Sequence, residues 1–202
     1  MVARIGIRRE DKNQWERRVP LSPEDMTALR SEHGIQFSLQ PFPTRAFSDD
    51  EFIQAGAAID ENLADCSIVL GIKEMPLGFF KRKLTYCFFS HTIKCQAYNM
   101  PMLRHISDLP CNLIDYEKIT DDYGRRLVFF GVEAGQAGMI NTLWALGRRL
   151  KLEGVRNPFE NIRQAIEYGT LSNAEDSIRS CSESPDMEMC RRERREFSGT
   201  FR

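Results

Sequence analysis

Four stretches of this chain place ionisable side chains directly behind short apolar runs. Lys73 and Glu74 follow "SIVLGI". His91 follows "TYCFFS", with Lys94 and Gln96 just beyond. Asp115 and Glu117 close "CNLIDYE", and Glu16, Arg17 and Arg18 lie in the connection after the first apolar run. In an open α/β sheet, ligands bind outside the carboxyl ends of the strands. If these strands are neighbours, the four stretches converge on one rim. Lysines and an arginine gathered there suit a molecule with more than one carboxylate, and the Arg18 guanidinium can grip one of them through two parallel hydrogen bonds. A lysine crowded by cations or withdrawn from water becomes a base near neutrality. A histidine exchanges protons there with little adjustment, and Glu74 and Glu117 can tune both groups. Each piece alone has a plainer reading, since a single histidine behind a strand is more often structural and "IKE" suits a surface turn. The constellation carries the chemical reading.

The elements that would position these groups alternate along the chain. Ala3 to Arg8 reads as a strand. In "LSPEDMTALRSEHG", Ser22 caps a helix, Pro23 suits its first position, Glu24 and Asp25 suit its positive end, and Gly34 ends it. Ile35, Phe37 and Leu39 alternate as a second strand. Ser48 and Glu51 form a capping box for a short helix closed by Gly56. Ser67–Ile72 and "TYCFFS" read as strands buried on both faces of a parallel sheet. A helix is expected from about Thr92 to His105, bent near Pro101. "CNLIDYE" and "RRLVFFG" read as two further strands. One long helix spans Gly131 to about Leu152, and its glycines point to close packing against another element.

This alternation predicts an α/β fold, a mainly parallel sheet flanked by helices in a Rossmann or flavodoxin-like arrangement. Three regions are expected: a substrate-side domain over 1–130, the long helix and following segment over 131–168, and a charged, disordered tail over 169–202.

Composition excludes several classes of function. Hydrophobic residues make up 42% and charged residues 28% of the 202, which suits a soluble domain with a core. The net charge of −1, from 28 basic and 29 acidic residues, gives no reason to expect a nucleic-acid or membrane partner. "RRERR" near the C-terminus is diluted by glutamates. No apolar stretch approaches the roughly 18 residues of a membrane span. The N-terminus shows no signal core and no transit leader, which fits the cytoplasm or the mitochondrial matrix. Cys66, Cys87, Cys95, Cys111, Cys181 and Cys190 form no Cys-x-x-Cys pair, so reduced, packed thiols are expected and no zinc site. No Gly-x-Gly-x-x-Gly is present; the glycines of "GVEAGQAG" do not have that spacing.

The motifs "IGIRREDKNQWERRVPLSPEDM", "RAFSDDEFIQAGA", "VLGIKEMP", "TYCFFSHTIKCQAYNMPML", "LIDYEKITDDYGRRLVFFG" and "AGQAGMINTLWALGRRL" occur in this order. Over about residues 3 to 168 they resemble the N-terminal domain shared by saccharopine dehydrogenases, alanine dehydrogenase and pyridine nucleotide transhydrogenase. Within that group they are most similar to the lysine-2-oxoglutarate reductase half of the aminoadipic semialdehyde synthases. The resemblance implies an NAD(P)-dependent oxidoreductase of lysine degradation, which condenses lysine with 2-oxoglutarate and reduces the imine to saccharopine with NADPH. It implies Lys73 and His91 as the catalytic proton-transfer pair. Arg18 and Arg126 would hold substrate carboxylates, and Glu74, Lys94, Gln96 and Glu117 would complete the substrate-binding shell.

The stretch after the long helix departs from the family's Gly-rich nicotinamide-binding domain. The chain is therefore expected to be a shortened form that binds no NADPH tightly and is inactive alone, needing a separate nucleotide-binding domain or a homo-oligomer. A non-catalytic dicarboxylate-binding or oligomerisation module, and an alanine dehydrogenase-like domain, are the alternative readings.

Overall fold

The strands Arg4–Ile7 (β1), Gln36–Leu39 (β2), Ala58–Ile59 (β3), Ile68–Leu70 (β4), Thr85–Phe88 (β5) and Asn112–Asp115 (β6) form one sheet, in the order β3-β2-β1-β4-β5-β6. Every pairing is parallel. The computed structural model describes residues 3–183, which fall into two units meeting at residues 129 and 130. The sheet belongs to the first unit.

Side-chain alternation along the strands builds two layers on the sheet. On one face Ile7, Phe37 and Leu39 pack with Met26 of α1 (Pro23–His33) and Phe52 of α2 (Asp49–Gln54). On the other, Val69, Tyr86 and Phe88 pack with Met102 and Ile106 of α3 (Met100–Asp108). Met26, Phe52 and Phe88 are fully buried, and each such side chain stabilises the fold by about 1.5–3 kcal/mol. Gly6 lets Leu63 and Cys66 close on β1, since an added Cβ would stand 3.0 Å and 3.1 Å from them.

The helix starts are built as expected. Ser22 Oγ accepts from the Asp25 N–H while the Asp25 carboxylate accepts from the Ser22 N–H, and Ser48 and Glu51 repeat the device. Gly34 ends α1 in the left-handed region, at φ 66°, which costs glycine nothing.

Three expectations are corrected. Residues 92–95 form a turn, not a helix, and α3 begins only at Met100, with Pro101 in its first turn instead of bending its middle. Proline lacks the N–H that a first turn leaves unused anyway. "RRLVFFG" is not a strand. Gly124, at φ 77°, turns the chain back, and a single antiparallel bridge joins Thr120 to Arg126, while Leu127 and Phe129 stay more than half exposed. The expected tail is helical over Leu171–Ser182 (α5), where Ala174 and Cys181 pack with Ile140 and Ile162. Residues 184–202, Cys190 among them, lie outside the described residues. The five described cysteines are free thiols.

In the second unit, α4 runs from Gly131 to Leu152. Its glycines differ in kind. A Cβ at Gly147 would meet Phe159 O at 2.5 Å, whereas at Gly135 or Gly138 it would meet no described atom within 4 Å. Alanine gains roughly 1 kcal/mol of helix propensity over glycine, but forcing a methyl group into closely packed backbone costs about 1–3 kcal/mol. Gly147→Ala is therefore expected to destabilise the chain by about 1 kcal/mol or more and Gly135→Ala to stabilise it by up to about 1 kcal/mol. Urea denaturation of both variants checks the opposite signs.

Candidate active site

Parallel pairing sends the connections after β1, β4, β5 and β6 out along one edge of the sheet. Gly71 N–H donates to Cys87 O (3.0 Å), and Phe89 N–H donates to Ile72 O (3.0 Å). The β4 and β5 chains thus stay paired beyond their strands, and Lys73-Glu74 emerges beside Ser90-His91.

Glu74 is the hub of this edge. Its carboxylate accepts from His91 Nδ1 (2.9 Å), Asn99 Nδ2 (3.1 Å) and Lys12 Nζ (2.5 Å). Burial pushes this carboxyl up, but the three donors outweigh burial and hold it at about 2. An ionised carboxylate only accepts, so Nδ1 of His91 carries the proton of that bond, and Nε2 lies outside it. The ring lies near-parallel to Phe89, at 17° with centroids 6.4 Å apart. The His91 backbone sits at φ 51°, a left-handed conformation that costs an L-residue roughly 1–2 kcal/mol. Such a conformation is kept only where the surroundings enforce it.

Those surroundings are visible. Ser90 is fully buried, and its N–H donates to Asp115 Oδ2 at 3.1 Å. Its hydroxyl bonds the same oxygen, and its carbonyl accepts from Asn99 Nδ2 at 2.8 Å. Asp115 Oδ1 accepts from the Glu117 N–H at 2.8 Å. Glu10, 2% exposed, accepts from the N–H groups of Ile72 (2.7 Å) and Lys73 (3.0 Å). Behind this edge Cys87 and Tyr116 are buried, and burial pushes the Cys87 thiol up to about 11.

Among the expected site residues, Lys73 is half-buried within the field of the Glu16 carboxylate, and among the described residues its Nζ makes no ion pair. Arg18 makes two parallel bonds through Nε (2.7 Å) and Nη2 (2.5 Å), but to Glu16, so a substrate carboxylate would have to compete with Glu16 for that edge. The pairing raises Arg18 further above its ordinary value, and on Glu16 it outweighs burial to lower that carboxyl. Arg126, half-exposed on the 120–126 hairpin, reaches back to Glu117 at 3.3 Å. Lys94 is exposed in the turn after His91, and Gln96 accepts from the Tyr98 hydroxyl at 3.2 Å. Neither touches the Glu74 hub.

Sequence reasoning missed Glu10, Lys12, Asn99 and the supporting role of Asp115. The first two sit in "REDK" behind β1, where a charged run reads as a solvated loop. Asn99 carried no signal.

Strand order reverses between β1 and β4, the place where a doubly wound sheet of this order seats a dinucleotide. That seat needs a Gly-rich turn leading straight into a helix N-terminus. Here β1 runs into Arg8, Arg9 and Glu10, α1 begins only at Pro23, and the Asp25 carboxylate already occupies the helix start. These residues do not fit a nicotinamide dinucleotide.

Among the described residues, no group of three or more His, Cys, Asp and Glu side chains could hold a metal ion, and no helix is long and apolar enough to cross a membrane.

Comparison with known proteins gives a consistent picture. The family model "alanine dehydrogenase/PNT, N-terminal domain" matches residues 6–137. Alpha-aminoadipic semialdehyde synthase, mitochondrial, of Rattus norvegicus is 41% identical over 175 residues, covering 87% of this chain and 19% of that protein. The Arabidopsis thaliana alpha-aminoadipic semialdehyde synthase is 37% identical over 184 residues, 89% of this chain and 17% of that protein. The saccharopine dehydrogenase (NAD(+), L-lysine-forming) of Emericella nidulans is 34% identical over 141 residues, 67% of this chain and 37% of that one. The chain thus spans about a fifth of the length of the two synthases. A solved structure, the transhydrogenase from Sinorhizobium meliloti, aligns with a TM-score of 0.48 and 13% identity over 71% of this chain and 41% of that one.

Because Glu74 is held at about 2, its ionised form stabilises the fold fully above pH 4.5, and that contribution is lost as pH falls towards 2. Glu74→Gln is expected to cost about 1–3 kcal/mol at neutral pH and to flatten the stability gradient between pH 4.5 and 2. Urea unfolding at a series of acid pH values checks both.

Proposed function

The chain belongs to the alanine dehydrogenase/PNT N-terminal domain family, and on that premise we propose that it supplies the substrate-holding, acid–base half of a saccharopine dehydrogenase. The reaction joins lysine and 2-oxoglutarate as an imine, which NADPH reduces to saccharopine. The observation that supports this reading is the ionised Glu74 hub, which holds His91 Nδ1 at 2.9 Å from the carboxylate of the residue that follows Lys73, on chains paired beyond their strands.

In this reading the proton transfers fall to Lys73 and His91. Lys73 takes a proton from the ε-ammonium of substrate lysine, freeing the nitrogen lone pair to attack the 2-oxoglutarate carbonyl. His91 then delivers a proton from Nε2 to the carbinolamine hydroxyl, which leaves as water while the C=N bond forms. Glu74 stabilises the imidazolium before this step and keeps the ring oriented after it. Reduction belongs to the nicotinamide cofactor, carried by a separate domain or by a partner subunit in this reading. NAD(+) is named for the fungal relatives, and the described residues of this domain supply no step to it.

Charge favours the same substrates. Lys12 is paired with Glu74, Arg18 with Glu16, and Arg126 with Glu117. Lys94 adds an exposed cation to these pairs, while the buried Glu10 and Asp115 carboxylates balance the edge as a whole, so it is separately placed cations, not net charge, that would meet the three carboxylates of saccharopine. The compartment in this reading is the cytoplasm or the mitochondrial matrix, the rodent relatives being named mitochondrial.

Calorimetric titration of the chain with saccharopine tests the reading. Binding is expected to weaken by about 10- to 100-fold in Arg18→Ala and in Arg126→Ala, the equivalent of one lost charge-assisted bond each, and to weaken in Lys73→Met. Saccharopine bound equally well by all three variants would favour a non-catalytic dicarboxylate-binding module. Tighter binding of pyruvate and alanine would favour an alanine-type site.

A further inference from the structure

Glu10 is the most deeply withdrawn carboxylate of the site edge, and the proton transfers above make no use of it. It is 2% exposed and lies two residues beyond Arg8 in the chain leaving β1. Both of its oxygens face the neighbouring connection: Oε1 accepts from the Ile72 N–H and Oε2 from the Lys73 N–H. The backbone closes around it, since a Cβ on Gly71 would stand 3.4 Å from Oε1. Charged and titratable groups face it from each surrounding connection. They are Arg8 beside it, Glu16 and Arg18 before α1, Arg45 between β2 and α2, and Tyr116 after β6.

A carboxylate in such a place is costly. Burial raises the Glu10 carboxyl above its ordinary value despite the two backbone bonds and the Arg8 charge. A neutral side chain would serve a purely structural need at lower cost. What an ionised carboxylate offers is two acceptor oxygens of fixed geometry, which can hold two consecutive peptide N–H groups at once. Those two peptides carry the chain into Ile72 and Lys73, immediately ahead of Glu74. Their direction fixes where the Lys73 ammonium leaves the backbone and where the Glu74 carboxylate meets His91.

We propose that Glu10 is a positioning residue, which clamps the Ile72–Lys73 peptides so that Lys73 and the Glu74–His91 pair present to substrate in one geometry. It acts through the backbone and touches no reacting atom. The inference rests on the functional reading above only for the identity of the substrate.

Two readouts on the full chain separate the two claims: hydrogen exchange at the Ile72 and Lys73 amides, and saccharopine binding by calorimetry. Glu10→Gln keeps the size and one acceptor oxygen but turns an N–H₂ towards one of the two peptides. At least one of the two amides is expected to exchange more than tenfold faster, while α1 and α3 amides keep wild-type protection. Saccharopine affinity is expected to fall about tenfold. Glu10→Ala, if folded by circular dichroism, should release both amides and bind more weakly still. Wild-type protection of both amides in Glu10→Gln would overturn the clamp. Released amides with unchanged saccharopine affinity would overturn its role in the site. Released amides in a chain whose wild type binds no saccharopine would leave the clamp standing and sink the substrate assignment.

Discussion

One constraint organises the site: a carboxylate taken out of water at a strand end must find its donors on the next strand's connection. Glu10 finds them on the chain leaving β4, Glu74 on the chain leaving β5, and Asp115, at the end of β6, on Ser90. The three acids run along the edge as a series of staples between parallel neighbours. Bonds to an ionised group contribute about 1.5–3 kcal/mol each, and an unmet buried partner costs as much or more. The connections are therefore held far more firmly than their irregular backbone suggests. This is what keeps His91 in a left-handed conformation that it would otherwise leave.

The parallel sheet makes that stapling possible. Antiparallel neighbours would send alternate connections to opposite edges, and no two of these acids would reach across. In the parallel register Ile7 pairs with Leu70, Leu70 with Cys87, and Phe88 with Asp115. The strand ends stand almost level, and the polar residues one to five positions later fall side by side. The apolar runs matter to the chemistry because they fix this level: Val69, Tyr86 and Phe88 are buried on one face and Cys87 on the other. A slip of one residue would exchange the faces and bury the wrong set.

Most of the architecture was legible because it rests on local rules. Ser22 and Ser48 open their helices with capping boxes, Gly34 closes α1, and the helix Gly131–Leu152 has the bounds that its apolar pattern marks. What was not legible depended on tertiary context. "RRLVFFG" has the composition of a strand, but its chain turns back at Gly124 to bridge Thr120 and joins no strand of the sheet. The turn at 92–95 looks helical by composition, and it is bounded by the left-handed backbone of His91 and Cys95. α5 was hidden because its charged surface outweighs the few residues, Ala174 and Cys181 among them, that it buries. Along this edge, residues placed immediately behind apolar runs were located from the sequence, their roles aside. Those acting from within a charged loop, Glu10 and Lys12, were not, because only the folded chain shows which charges of "REDK" turn inwards.

The connection from β1 to α1 explains how one strand order can serve a different chemistry. A short glycine turn at the β1–β4 reversal would bring a helix N-terminus to the rim, and the rim's positive potential would come from backbone dipoles. Here residues 8–22 intervene, and they carry Arg8, Glu10, Lys12, Glu16 and Arg18 across the mouth of the sheet. Side-chain charges replace the dipole. Unlike a dipole, they can be paired and oriented: Glu16 orients Arg18, and Glu74 holds Lys12. A helix dipole suits a diphosphate presented at one point. In the proposed function, the separately anchored cations are what would meet a flexible molecule whose carboxylates stand several bonds apart.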